Sequence, residues 1–210
     1  MYDLPTSIFI EDKEYKIREA GDFRVVLDCF SALGDIKMGE TARVLASLII
    51  FYDWLADIDT SDLTDEEIDI LTDEAIDSVD EETLVQLVKE MYKFFNCGQE
   101  DNSNVLSPKL IDWEHDSQMI MSAVNNVAGK EVRLEPYLHW WTFTGYYMSV
   151  GESVLATVVS IRNKILKGKK LEKWEKEFQM EHPNYFVWNS KSIEEQELDE
   201  LMFELWDNGN

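Results

Sequence analysis

The stretch Tyr137-Leu138-His139-Trp140-Trp141-Thr142-Phe143 follows Pro136 and places two adjacent tryptophans beside a histidine. Proline fits the first position of an α-helix, because that position needs no backbone N–H donor. We therefore predict that an aromatic helix begins at Pro136. On such a helix Trp140, Phe143 and Tyr147 recur at i, i+3 and i+7, which is the spacing of one buried face. These three side chains are predicted to lie in the core.

Trp141 and His139 face other sides of the predicted helix. Trp141 is about 100° round the helix axis from Trp140, given about 3.6 residues per turn. It is therefore expected to flank the core, against a neighbouring helix or a partner. His139 lies roughly opposite the stripe of Trp140, which favours a structural or surface histidine over a catalytic one.

Length and composition predict a folded globular protein. The chain has 210 residues, 45% of them hydrophobic and 12% aromatic, which is enough to bury a core. Cys29 and Cys97 are too few for a disulfide framework. No apolar run follows a basic segment at the N-terminus, and the longest apolar stretch, Val44–Leu55, contains Ser47 and Asp53. That stretch is too short and mixed to span a bilayer, so we expect a soluble intracellular protein without membrane contact.

The formal net charge of −24 excludes the usual chemistry of direct nucleic-acid binding, which requires lysines and arginines at the phosphates. The charge is uneven along the chain. Residues 44–88 contain no Lys or Arg, whereas residues 162–176 contain seven, against two Glu. The simpler interpretation is two solvated faces of opposite sign. The alternative is a polar molecule that steers partners or self-associates head to tail.

The N-terminal residues predict a small β-hairpin. Ile8 and Ile10 precede a polar break at Glu11–Lys13, and Tyr15 and Ile17 then alternate with basic residues. The alternative is an ordered N-terminal arm without a sheet.

Most of the remaining chain is predicted to be helical. Apolar spacings of three and four residues predict helices over about 23–34, 39–55, 81–96, 115–128, 154–168 and 171–178. Phe94 and Phe95 are predicted to lie in the core, on the third of these helices. On the last helix, Leu171, Trp174 and Phe178 share one stripe. Other side chains predicted to face inward include Leu45, Phe51, Leu55, Val127, Val154 and Ile165.

The acidic segment contains an eight-residue repeat, in Thr64–Leu71, Thr72–Val79 and Asp80–Leu87. Thr64 and Glu67 match the capping-box pattern of a helix start. On a helix of about 3.6 residues per turn, a step of eight residues ends about 80° beyond two full turns. The repeated apolar residues therefore cannot all lie on one face of a single helix. We therefore predict short helical turns, followed by the helix of residues 81–96.

The predicted fold is mainly α, with a single helical domain of about six to eight helices. Residues 1–182 form this domain, which carries the small N-terminal β-hairpin and an internal loop at about 99–110. Residues 183–210 form a C-terminal aromatic and acidic segment. That segment is predicted to include a C-terminal acidic helix.

The C-terminal segment holds most of the aromatic side chains that are expected to be exposed. Tyr185, Phe186 and Trp188 follow one another closely after a proline. Glu194–Trp206 predicts a helix with an apolar stripe that ends in Trp206. We lean toward docking of this helix on the core, because its apolar residues would otherwise stay in water. The alternative is a mobile recognition segment.

No pattern of catalytic, cofactor-binding or metal-binding residues stands out. An EF-hand calcium loop that began at Asp57 would need Gly and Glu where the chain has Asp62 and Ile68. The three histidines form no i, i+4 pair, and neither cysteine has a close Cys or His neighbour, which argues against zinc. There is no phosphate-binding glycine loop and no nucleophile elbow. We therefore expect no enzyme, no metal and no cofactor.

Six short elements resemble one phage protein family. They are Leu4–Ile8, Asp22–Arg24, Phe94–Gly98, Asp112 with Asp116, Leu138–Phe143 and Ile161–Arg162. Together they are similar to the "gene product fifteen" family of tailed phages and prophages of Gram-positive bacteria. The resemblance runs from about Leu4 to Lys170. Its most specific parts are Leu-His-Trp-Trp-x-Phe and Phe-x-Asn-Cys-Gly.

The resemblance implies a role in the phage tail, within the host bacterial cytoplasm. Genes of this family lie near those of the tail tube and the tape-measure protein. Their placement resembles that of tail assembly chaperones, which keep the long helical tape-measure protein soluble. The expected partners are therefore the tape-measure protein or other tail proteins. The family supplies no catalytic residues. From the sequence, the candidate partner-binding residues are Trp141, Tyr185, Phe186, Trp188 and Trp206.

Two other functions remain open. The chain could be a structural or connector protein of the virion tail. It could also mimic DNA through its acidic run and inhibit a host protein, although mimicry needs rigid charges at phosphate-like spacing. The predicted drift of the acidic repeat around the helix argues against mimicry.

Overall fold

The computed structural model describes residues 3–56, 58–99 and 110–187. Within these ranges the chain is mainly α, with eight α-helices and one two-stranded hairpin, as predicted. The backbone clusters into two units. The first unit comprises Met1–Asp101 and Arg133–Tyr146, and the second comprises Asn102–Val132 and Tyr147–Asn210. No described helix has the length and apolar character that crossing a membrane requires.

In the described residues, a β-hairpin comes first and the helices follow it. The hairpin strands are β1 (Ser7–Ile10) and β2 (Lys13–Lys16), and they pair antiparallel. The helices are α1 (Phe23–Gly34), α2 (Glu40–Phe51), α3 (Asp65–Asp77), α4 (Glu81–Phe95), α5 (Ser117–Ala128), α6 (Trp140–Met148), α7 (Val154–Leu166) and α8 (Lys173–Glu181). Short 3₁₀ helices occur at Arg18–Gly21, Val132–Leu134 and Pro183–Phe186.

Aromatic rings form the core of the first unit. Phe23 of α1 stacks on Phe143 of α6, with ring centroids 4.6 Å apart. Phe30, also in α1, meets Phe95 of α4 edge-on at 5.1 Å and Trp140 of α6 edge-on at 5.6 Å. Such edge-on and stacked pairs add stability beyond the area that they bury. The aromatic residues therefore join α1, α4 and α6, and α1 also packs along α2.

The second unit has an aliphatic core between α5 and α7. Ile120 and Val124 of α5, with Val158 and Ile161 of α7, are fully buried. The Pro183–Phe186 helix packs against both α7 and α8. The end of the described chain is thereby held beside α8.

The aromatic helix begins later than predicted, at Trp140 rather than at Pro136. The backbone N–H of Phe23 donates to the Leu138 carbonyl at 2.9 Å. The backbone N–H of Leu138 donates to Asp22 Oδ2 at 2.7 Å. Both backbone groups of Leu138 are therefore engaged by the start of α1, so the preceding turn does not become helical.

Tyr147 also departs from its predicted place in the core. It is only half-buried, and it belongs to the second unit rather than to that of Trp140 and Phe143. Its ring lies 5.3 Å from that of Trp113 in the same unit. Tyr147 therefore contacts Trp113 near the end of α6 but is not fully buried.

The prediction of short turns in the acidic segment is wrong, because α3 is one continuous helix of 13 residues. Its start is as predicted, with a capping box between Thr64 and Glu67. The inward face consists of Ile68, Thr72 and Ile76, at i, i+4 and i+8, while Ile70 is 51% exposed. These residues make an ordinary helical stripe. The octad repeat therefore does not set which side chains are buried.

Several predicted inward residues lie outside the core. α2 ends at Phe51, so Leu55 is not on it, because Tyr52 has extended backbone. Exposed residues among those predicted inward are Leu45, Val127, Val154 and Ile165. Most of the internal loop predicted at about 99–110 lies outside the described residues, as do Trp188, Trp206 and the helix predicted over Glu194–Trp206.

Candidate functional site

Asp22 connects the start of α1 to the segment before α6. Its side chain is buried, and Oδ1 accepts the backbone N–H of Arg24 at 3.0 Å as a helix cap. The Arg24 guanidinium pairs with the same carboxylate at 2.9 Å. Another nitrogen of that guanidinium donates to the Glu135 carbonyl at 2.7 Å. With the bond from Leu138, one carboxylate and one arginine thus fasten two segments more than 100 residues apart.

His139 lies before the helix, so its predicted position on a helix face was wrong. It is 2% exposed, and Nδ1 accepts the backbone N–H of Trp141 at 3.0 Å. Since Nδ1 carries no hydrogen, the neutral ring carries its proton on Nε2, which donates to the Pro5 carbonyl at 3.1 Å. Burial lowers the pKa of His139, against smaller raising effects from the Pro5 carbonyl and the Asp22 charge. The geometry gives this histidine a structural role.

The two tryptophans hold the C-terminal end of α4. The indole N–H of Trp140 donates to the Phe95 carbonyl, and that of Trp141 donates to the Phe94 carbonyl, both at 2.9 Å. The Trp141 ring also covers Gly98, where an added Cβ would lie 3.1 Å from the indole. Gly98 has φ +79°, a region that favours glycine. Trp141 is therefore half-buried against its own chain.

A buried ion pair organises the second unit. The side chains of Arg162 and Asp116 are both fully buried, and Arg162 Nη2 donates to Asp116 Oδ1 at 2.9 Å. Arg162 also donates to the carbonyls of Leu110 and Tyr185, each at 2.9 Å. A buried arginine needs such partners, because an unpaired charge in the interior is costly. One side chain of α7 therefore fixes both ends of the described part of this unit.

The residues that suggested a phage family thus meet in these buried contacts. A family model described as Bacteriophage Gp15 protein matches residues 1–185. The chain belongs to this family. No curated protein and no solved structure matches the chain. In this Gp15 protein, the short elements that carry the resemblance take part in these structural contacts.

The described side chains show no arrangement with evident chemistry. Burial raises the pKa of the Cys29 thiol to about 12. Burial also raises the pKa of the half-buried Cys97 thiol. Both thiols therefore stay protonated at neutral pH, which makes them poor nucleophiles. Among the described residues there is no group of three or more potential metal ligands.

Three strongly exposed apolar side chains of the second unit lie on and beside α8, whereas Met148, 78% exposed, lies at the end of α6. Trp174 is 55% exposed, Met180 is 73% exposed and Val187 is 71% exposed. Of the predicted partner-binding residues, Tyr185 and Phe186 lie in the same region and are half-buried. We call Trp174, Met180, Tyr185, Phe186 and Val187 the α8 surface.

Trp174 was predicted to share one stripe with Leu171 and Phe178, and it is the exposed member of the three. Glu175 is 1% exposed, and it accepts a hydrogen bond from Lys164 Nζ at 2.6 Å. It also accepts the backbone N–H of Glu172 at 2.8 Å, which completes a capping box. Both contacts lower the pKa of Glu175. The inward position next to Trp174 is thus taken by a carboxylate, and the tryptophan turns outward. The Glu172-x-x-Glu175 capping pattern is the sequence feature that could have predicted this.

Proposed function

We propose that this Gp15-family chain is a tail assembly chaperone that keeps the helical tape-measure protein soluble. Membership of the family supports a phage structural or morphogenesis protein. The finer role rests on the kind of surface that the chain presents. A chaperone for an amphipathic helix needs exposed apolar side chains on a fold that is stable without its client.

The α8 surface is the observation that carries the proposal. A tryptophan, a methionine and a valine that are each more than half exposed lie on or near one short helix. Exposed aromatic and methionine side chains suit the apolar face of a client helix, because methionine adapts its shape to different partners. Trp141 is a weaker candidate, since its indole already binds Phe94. The contribution of Trp188 and Trp206 stays a prediction.

The charge of the chain supports the same role. A formal net charge of −24 keeps a protein apart from its neighbours by electrostatic repulsion. An apolar client that is bound to such a protein would share this protection until the tail tube polymerises around it.

Co-expression with the tape-measure protein of the same phage tests the proposal. We expect the two proteins to purify together and the tape-measure protein to become more soluble. The double variant Trp174→Ala with Met180→Ala should lose both effects while it remains folded. The matched control is Ile36→Ala with Leu134→Ala, two residues of the first unit that are 77% and 82% exposed. No co-purification with the wild-type chain, or equal loss in the control, would refute the proposal.

Mass spectrometry of purified virions distinguishes the chaperone from the connector alternative. A chaperone leaves before the tail is complete, so its peptides should be missing from mature particles. A connector would be found there in fixed proportion to the other tail proteins.

A further inference from the structure

A patch of lysines borders the α8 surface in this acidic chain. Lys167, Lys169, Lys170, Lys173 and Lys176 are all exposed, at the end of α7 and along α8. Lys170, Lys173 and Lys176 line a surface pocket of about 400 Å³, together with Leu171 and Glu172. We call these five lysines and the pocket the lysine patch.

The described carboxylates leave most of this positive charge unneutralised. Lys173 lies 3.7 Å from Glu177, but its side chain is 92% exposed, and such pairs contribute little. Glu175 is already occupied by Lys164. No described carboxylate forms an ion pair with Lys170 or Lys176. A pocket that is lined by three lysines and by the apolar side chain of Leu171 therefore suits an acidic amphipathic segment.

The end of this same chain has that composition. Residues 188–210 contain seven Asp and Glu against one Lys. Within them, Leu198, Leu201, Met202, Leu205 and Trp206 recur at helical spacing, as expected of an amphipathic helix.

We propose that residues 194–206 dock on the lysine patch of the same molecule. The acidic side chains would neutralise Lys170, Lys173 and Lys176, and the apolar stripe would cover Leu171. Docking would remove apolar area from water, which favours association. The segment is thus an internal ligand for a basic, partly apolar site.

The geometry of the chain end permits this docking. Arg162 holds the Tyr185 carbonyl at 2.9 Å, so the chain leaves the described structure beside α7 and α8. Residues 188–193 can span up to about 20 Å when extended, at about 3.3 Å per residue. A helix over residues 194–206 would be about 20 Å long, at about 1.5 Å per residue. The connection therefore lets the helix fold back along α8.

Carbodiimide cross-linking of the full chain tests the inference directly, because the reagent joins only lysines and carboxylates in contact. We expect cross-linked peptides between the lysine patch and the acidic residues of 194–206. The Lys93–Glu90 pair, 3.1 Å apart with both side chains more than a third exposed, is the internal positive control. A mixture of isotopically light and heavy protein distinguishes docking within one molecule from docking between two copies. Docking within one molecule gives no mixed light–heavy cross-links, whereas exchange between two copies gives them.

Charge reversal supplies the matched variants. Lys170→Glu with Lys176→Glu should abolish the cross-links from Lys173 to residues 194–206. The control Lys13→Glu with Lys37→Glu changes two exposed lysines of the first unit and should preserve them. The inference is overturned by wild-type protein without these cross-links, by mixed light–heavy products only, or by cross-links that survive the reversal. The cross-linking uses the protein without a client, so its result does not depend on whether the protein acts as a chaperone.

Discussion

Trp140 combines nearly complete burial with a hydrogen bond, which makes it a sensitive point of the first unit. It is 3% exposed, stacks on Phe143 and donates to the Phe95 carbonyl. Trp140→Ala should lower the free energy of unfolding by about 3–5 kcal/mol, the usual loss for a large buried aromatic. Chemical denaturation measures this loss. The control Trp174→Ala removes a largely exposed indole and should cost about 0.5 kcal/mol or less. Equal losses would refute the assignment of Trp140 to the core.

His139 should make the folded state sensitive to mild acid. Burial lowers its pKa in the folded protein, below the value of about 6.5 for an unfolded chain. Its contribution to stability is therefore complete above pH of about 6.5 and is lost as the pH falls through the lower folded pKa. Protonation at Nδ1 would also break the bond from Trp141.

Unfolding of wild type and His139→Asn between pH 7.5 and 5 measures this dependence. The variant retains an acceptor near the Trp141 N–H but does not titrate, so its stability should fall less over this range. His115→Asn changes an exposed histidine and should follow wild type. Parallel curves for wild type and His139→Asn would contradict the prediction.

The Arg162–Asp116 pair should show strong coupling. Asp116→Ala leaves a buried guanidinium without its counter-charge, which costs about 3–5 kcal/mol in comparable pairs. Arg162→Met leaves the carboxylate and the carbonyls of Leu110 and Tyr185 without this donor. In a double-mutant cycle, the combined variant should lose clearly less stability than the sum of the single losses. Additive losses would mean that the ion pair itself contributes little.

At the scale of elements, α3 begins with a capping box that can be tested by substitution. Its N-cap Thr64 accepts the backbone N–H of Glu67, and Glu67 accepts that of Thr64 at 2.8 Å. Thr64→Ala should cost about 1 kcal/mol. Hydrogen exchange should accelerate first in the amides of residues 65–70. Thr60→Ala, at a threonine outside the helix, should leave these amides unchanged, and equal acceleration in both variants would show that capping is not the cause.

The helices that the sequence predicted well have local signals at both ends. α4 was predicted over residues 81–96 and runs from Glu81 to Phe95, because Asp80 caps its first turn and Gly98 follows its last. The start of α6 was not predictable in this way. It is set by the hydrogen bonds of Leu138 to the start of α1, and nothing near Pro136 in the sequence reports that contact.

The octad argument for α3 failed for a different reason. It assumed that every repeated apolar residue must be buried, whereas Ile70 is 51% exposed and Thr72 is buried. Burial on α3 therefore follows the ordinary helical stripe of Ile68, Thr72 and Ile76 rather than the eight-residue period.

The candidate site was only partly predictable. The sequence indicated aromatic residues near Tyr185, and it also chose Trp141, whose indole donates to the Phe94 carbonyl at the end of α4. It did not choose Trp174, whose neighbour Glu175 uses its carboxylate on the cap and on Lys164. Helical spacing alone does not contain that information.

At the scale of the whole molecule, the excess of negative charge should make stability rise with salt. The chain carries 43 Asp and Glu against 19 Lys and Arg, and none of these bases lies between Val44 and Val88. Repulsion among the excess negative charges destabilises the compact folded state. Salt weakens this repulsion, because the screening length between exposed charges is about 10 Å at 0.1 M. The thermal midpoint should therefore rise between low salt and about 0.5 M NaCl, where the screening length is shorter still.

Neutral variants locate the source of that salt effect. Asp69, Asp73 and Asp77 are exposed at i, i+4 spacing on α3, where like charges repel. Changing all three to Asn should raise the midpoint at low salt and reduce its further rise. The control changes Glu11, Asp12 and Glu14 to their amides, around the hairpin turn where Lys13 lies within the same charge cluster, and should keep most of the rise. A midpoint that falls with salt would instead mean that ion pairs such as Lys164–Glu175 outweigh the repulsion, because salt weakens attraction and repulsion alike.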